Sequence, residues 1–303
     1  MSSNDVPSPP NSAWRDRSRF DRLLLVATMV GSLSVAANLA LSTGTFLPPW
    51  LLVPQMFAFT AMLLMHIART IGLRAMGWYV VVMMAWEFLS EQVDIVTMGG
   101  WYGAHFAYTD LWGPRFFGVP IVPPISISIL VWPAFCVASM LVYGDYDVDH
   151  RRRPWASTVV FSVLVGMCVS WMPVVYEAVC IQIGAYTYPQ IAAGDVVGYW
   201  GHPIGTQTSS MPLGVFPGFT LLVMLQTLTL TRFVGPRFAR RAGPAAKLDP
   251  ILDAAPLAFF LILALGLAKV GSSVESQLFA TYSGVFVGLF ALCAFYARHV
   301  RPT

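Results

Sequence analysis

Charge is the scarcest thing in this chain. Of its 303 residues only 11% are Asp, Glu, Lys or Arg, under half the roughly 25% of a soluble domain. Too little polar surface exists to clothe a water-soluble fold of this size. No basic surface interleaved with aromatics is present, which excludes a nucleic-acid partner. The four cysteines, Cys136, Cys168, Cys180 and Cys293, lie in apolar stretches without a CxxC pair, so they read as small packing residues and not as a disulfide or metal framework. No GxSxG, P-loop, dinucleotide-binding glycine fingerprint or DDxxD occurs, which removes the usual support for hydrolase, nucleotide-dependent and ionising-prenyltransferase chemistry. HxxxH and ExxH spacings are missing too, so neither a metal nor a cofactor is expected.

What fills the chain instead is apolar: 56% hydrophobic residues and a mean hydropathy of +0.65. Continuous apolar segments run near 22–43, 50–71, 76–97, 121–143, 156–180, 211–231, 252–271 and 277–297. Each supplies the roughly 20 residues that a hydrocarbon layer of about 30 Å requires of a helix. Lipid offers no partner to an unpaired amide, so helices are the economical spanning element. A β-barrel would alternate over short segments, and these runs do not. The reading is an all-α integral membrane protein, a bundle of about eight transmembrane helices forming one domain over 21–303. Residues 1–20, polar, Pro/Ser-rich and then basic, are expected as a disordered cytoplasmic tail.

Placing the amino terminus in the cytoplasm puts every one of the 18 Lys and Arg residues on cytoplasmic segments except Arg115 and Lys269. So strong a bias predicts both termini inside and an even number of spans. This describes a multi-pass protein of a cell membrane, of the bacterial inner-membrane kind. His66, His150 and His299 then fall near cytoplasmic helix ends and read as ordinary interfacial residues. The two longest outer connections are 98–120 and 181–210, both rich in Trp, Tyr, Gly and Pro. Such residues suit the headgroup level and turns, but connections this long in a compact bundle more often carry function.

Ionisable side chains near the middle of a span cost at least about 2.5–3.5 kcal/mol each. The third segment nevertheless holds Glu87, Glu91 and Asp94, whose spacings of four and three place them on one helix face. By residue count Glu87 lies near mid-membrane and Asp94 near the outer interface. Glu177 ends the fifth segment on the same side, and Lys269 is the one cation at that depth, a candidate ion-pair partner. Crowded carboxylates out of water relieve their repulsion by keeping a proton, which makes one of them a candidate general acid. His105 and His202 sit in the two outer loops, placed to act as ligands or proton shuttles. A weak internal repeat joins about 76–143 with 156–231: an acid-bearing span leads into a Gly/aromatic loop closed by proline. Gly118-Val-Pro120 matches Gly201-His-Pro203, and the two loops would then face each other across one cavity.

The stretch from Asp94 to Pro124, with HFAYT and a proline-closed return, resembles the first signature of the avermectin-type spirocyclase (AveC-like) family. YEAVCIQIGAYTYP, followed by Gly201-His202-Pro203, resembles its second. The likeness covers roughly residues 80–230, with Asp94-Ile95 where the family pattern has Asp-Pro and Tyr108-Thr109 where it has Tyr-Asn. The first half is also similar to carotenoid hydratases of the CruF-like type, whose Asp-Pro and Asn-x-x-Gly-Trp elements are missing from the second half. Both resemblances imply a lipophilic, unsaturated polyketide or isoprenoid substrate taken from the bilayer, and acid-assisted cyclisation, hydration or dehydration without a cofactor. On this reading Glu87, Glu91, Asp94 and Glu177 are the catalytic acids and bases. Tyr102, His105, Tyr108, Tyr186, Tyr188 and His202 contact the substrate. A proton-coupled transporter or lipid-binding protein that uses the same carboxylates is the alternative. The partners expected are membrane lipid and the substrate; the sequence names no protein partner.

Overall fold

The computed structural model describes residues 49–143, 150–182, 184–195, 198–204 and 210–234, short helical pieces at 255–260 and 285–294, and isolated helical residues between 19 and 30. Over these residues the chain is mainly helical. Helix α1 (Pro49–Ile71) is followed by α2 (Leu73–Thr97), α3 (Val122–Tyr143) and α4 (Trp155–Gln182); then come the short α5 (Pro189–Ala192) and α6 (Val215–Leu228), which a π-helical turn extends over Thr229–Phe233. These helices overlie five of the eight apolar segments. The expected tail at 1–20, apart from Arg19, lies outside the described residues, as do Lys269, His299 and most of the first and last two segments. Among the described residues two helices, Val122–Tyr143 and Val215–Phe233, are long and apolar enough to cross a membrane.

Sequence explains the element boundaries. Gly72 alone separates α1 from α2, at φ +89°, a conformation that costs glycine little. At its far end α2 is stopped by Met98 in the left-handed region and by Gly99, whose N–H donates to Asp94 O at 2.8 Å; this satisfies carbonyls that the last turn leaves open. A Cβ on Gly166 of α4 would lie 2.5 Å from Thr220 O of α6. The absence of a side chain there is what lets these two helices meet closely.

Packing forms two apolar clusters. The larger is built from α1 to α4 and the end of α6 around Trp132, Phe135, Phe161, Met83 and Tyr79; the smaller lies under the connecting loops around Tyr102, Phe106, Tyr186, Tyr188 and Phe219. His66 and His150 belong to the first, which corrects their reading as interfacial residues. His66 is 0% exposed and its Nδ1 accepts from Trp132 Nε1 at 3.1 Å. His150, 5% exposed, sits among the rings of Phe135, Tyr143 and Phe161. Burial follows from aromatic neighbours on adjacent helices, which position along a segment does not reveal. Cys136, Cys168 and Cys180 are buried, whereas Cys293 is exposed.

The loops carry three two-residue antiparallel ladders. Strand β1 (Ala107–Tyr108) pairs with β4 (Tyr186–Thr187), β2 (Arg115–Phe116) with β3 (Val119–Pro120), and β5 (Pro203–Ile204) with β6 (Met211–Pro212). The first ladder joins the two long connections to each other, in the register Ala107↔Thr187 and Tyr108↔Tyr186. The other two are local hairpins, each releasing the chain into a helix, Pro120 before α3 and Pro212 before α6. Pro212 therefore holds the place of Pro120 in the second half. Pro203, matched to Pro120 on the sequence pattern, opens its hairpin and lies across from Pro212.

Candidate functional site

The three carboxylates of α2 are all buried: Glu87 at 0%, Glu91 at 3% and Asp94 at 0% exposure. Each is held by one oxygen. Asp94 Oδ1 accepts from the backbone N–H groups of Trp101 and Tyr102 at 3.2 and 2.9 Å, which folds the start of the first loop back over the helix end. Glu91 Oε1 accepts the Tyr108 phenol at 2.8 Å. Glu87 Oε2 faces Gln226 Nε2 of α6 at 3.4 Å, while the same amide group donates to Met83 O at 3.0 Å. Glu177 of α4 accepts the Tyr188 phenol at 2.6 Å. No ion pair reaches any of the four among the described residues; in the first loop Arg115 pairs with Asp110.

The remaining oxygens stand out. Glu87 Oε1, Glu91 Oε2 and Asp94 Oδ2 are buried without a hydrogen-bond partner among the described residues, and so is Gln226 Oε1. A buried polar atom left unsatisfied costs about 1–3 kcal/mol, more if charged. Four such atoms along one helix contact mark a place where the described residues do not complete the hydrogen bonding.

Aromatic rings from both loops roof this place. Tyr102 stacks on Phe219 at 5.2 Å, and its hydroxyl is 3.2 Å from Ser90 Oγ. Phe106 meets Tyr188 edge-on at 6.2 Å and 76°, and Tyr108 meets Tyr186 at 6.1 Å and 76°. These matched contacts are what a local two-fold axis through the Ala107–Thr187 pair produces. It carries Phe106-Ala107-Tyr108 onto Tyr186-Thr187-Tyr188. Further bonds tie the loops together: Thr109 N–H and Oγ1 and Trp112 Nε1 all donate to Ala185 O, at 3.0, 2.8 and 2.9 Å.

Burial pushes the phenols of Tyr102, Tyr108 and Tyr188 well above their ordinary range, and the negative field of the carboxylates beneath adds to it. They stay neutral donors at any physiological pH. The His105 imidazole is lowered by desolvation; it stacks on Phe106 at 6.3 Å and leaves Nδ1 buried without a partner, while its backbone N–H donates to Gln190 Oε1 at 3.1 Å.

Of the residues expected to act, Glu87, Glu91, Asp94, Glu177, Tyr102, His105, Tyr108, Tyr186 and Tyr188 gather here. His202 does not join them. Its side chain is exposed, and its backbone serves the second hairpin, accepting from Leu213 N at 2.8 Å. Gln226, Ser90 and Phe106 were not anticipated. Among the described residues no three His, Cys, Asp or Glu side chains converge where a metal ion could be held.

The chain matches no family model, no curated protein and no solved structure.

Proposed function

We propose that this chain is a multi-pass membrane enzyme of about eight spans, with both termini cytoplasmic, that performs acid–base chemistry on a lipophilic polyketide or isoprenoid. The reaction class is cyclisation, hydration or dehydration without a redox cofactor. The observation that carries the reading is the pair of tyrosine–carboxylate contacts, Tyr108–Glu91 and Tyr188–Glu177, brought from opposite loops and helices under one aromatic roof. Two carboxyls in comparable surroundings, each oriented by a phenol, can divide the roles of proton donor and proton acceptor. The unpaired oxygens of Glu91 and Asp94 are the groups a substrate hydroxyl or carbonyl would meet. The ring faces around Phe106 would stabilise positive charge developing on the substrate.

Balance is simple for such a step. A proton passes from a carboxyl to an oxygen or alkene carbon of the substrate. A hydroxyl or water then adds, or water leaves, and the second carboxylate recovers a proton. The spirocyclase and carotenoid-hydratase resemblances belong to this class. The test is metabolite profiling of a strain carrying Glu91→Gln or Glu177→Gln at the native locus. Either change should abolish a lipophilic product while membrane levels of the protein stay near normal. Unchanged product in both strains would end the acid–base reading.

A further inference from the structure

Asp94, Glu91 and Glu87 form a row of roughly 10 Å along α2 at 1.5 Å per residue. Each fixes one oxygen on the protein and leaves the other unpaired among the described residues, and the row meets Gln226 Oε1, likewise unpaired among them and fully buried, on α6. A carboxyl oxygen accepts when ionised and can donate when protonated, whereas the Gln226 oxygen only accepts. A dry row of unpaired polar atoms is among the most costly arrangements a protein interior can hold. What completes it must both donate and accept, and be small. Neighbouring side chains one turn apart sit about 5–6 Å from each other at Cβ, a gap that one water molecule closes.

The two ends of the row differ. At the loop end Asp94 lies beneath the turn Gly99–Gly103, next to exposed residues of the first loop. At the other end Gln226 caps Glu87 with an amide N–H that it also gives to Met83 O. The next turns of α2 present Met83 and Val82, both buried and apolar, and Tyr79, whose hydroxyl donates to Ser128 O at 2.7 Å. A carboxamide does not take up a proton, and α2 carries no further carboxyl on the far side of Glu87.

We propose that Asp94, Glu91 and Glu87, with intervening water, form a one-sided proton path that runs from the loop face to mid-helix and is closed by Gln226. Its purpose rests on the acid–base reading above: it resupplies the carboxyl that donates to substrate, from one side of the membrane only, without conducting across it. The positioning residue is Gln226.

Infrared spectroscopy of the full chain in lipid nanodiscs tests this without substrate. Protonated buried carboxyls give C=O bands that shift when water is replaced by D2O. Glu87→Gln should remove one such band. Asp94→Asn and Glu91→Gln should each slow exchange of the Glu87 band by about tenfold or more, as removal of a proton-carrying group does, while Glu177→Gln leaves it unchanged. Asn and Gln keep an accepting oxygen for Trp101, Tyr102 and Tyr108, so the loop anchors survive. If Glu87→Gln removes no band, or neither Asp94→Asn nor Glu91→Gln slows exchange, the path does not exist. Vesicles containing the protein should hold a pH gradient as well as empty ones; a leak would overturn the one-sided closure. Intact exchange in a protein that makes no product would count against the enzyme reading alone.

Discussion

Tyr188→Phe isolates the tightest contact of the site. The ring would stay, keeping its edge contacts to Phe106 and Tyr186 at 6.2 and 5.9 Å. Only the hydroxyl would go, leaving Glu177 Oε2 without its donor at 2.6 Å. Both residues are buried, at 4% and 6% exposure, so the cost is that of stranding a buried acceptor, about 1–3 kcal/mol. For a chain of this size each kcal/mol moves the melting midpoint by about 2–4 °C, and a loss of several degrees is expected in detergent, read by tryptophan fluorescence. Tyr108→Phe strands the buried Glu91 Oε1 in the same way and should cost a similar amount. The double variant Tyr188→Phe with Glu177→Leu should recover part of the loss, since replacing both partners by apolar groups removes the stranded acceptor. If Tyr188→Phe leaves the midpoint where it was, or the double variant is as unstable as the two singles added, the phenol does not hold the carboxyl and the paired-site argument fails.

Gly103→Ala and Gly214→Ala should each unseat the loop roof, because a Cβ at Gly103 would strike the Trp200 carbonyl and one at Gly214 the Tyr102 carbonyl; faster protease cleavage in 98–120 checks this, and equal resistance would refute it. The three buried phenols have folded pKa values above their unfolded ones, so their contribution to stability is full below the ordinary tyrosine range near pH 10 and is lost as pH climbs beyond it. Phenolate absorbance should therefore show these tyrosines ionising only together with unfolding, and their titration in the folded protein would contradict the burial. Reporter fusions at residue 303 and within 98–120 should read opposite sides of the membrane; like readings would end the eight-span arrangement.

Much of the helical framework was legible because an apolar run of spanning length has few alternatives, and α1 to α4 and α6 lie where such runs were read. The ladders were not. Two-residue strands carry no periodicity, and β1 finds β4 nearly 80 residues later through loop bonds such as Thr109 to Ala185. The repeat pattern pointed to facing loops but chose Pro203 over Pro212, since a proline before a helix and one that opens a hairpin look alike in sequence.

The acids were singled out for a reason that also explains why Gln226 was not. Segment length reports how deep a residue lies, but a helix apolar on every side gives no sign of which face meets which neighbour. In such helices polar side chains are the only markers of direction. Weighing only the ionisable ones picked out Glu87, Glu91, Asp94 and Glu177 and passed over Gln226, a polar residue equally deep in its apolar segment and 0% exposed. Yet Gln226 ties α6 to α2, through Met83 O and Glu87, while Trp86 Nε1 donates to Thr229 Oγ1 at 2.9 Å one turn further along. The same few polar atoms thus set helix orientation and leave acceptors unpaired beside one another. In a chain with so little charge, helix alignment and site assembly are one event, and a substitution that rotates α6 would disperse the carboxylate site without touching a carboxylate.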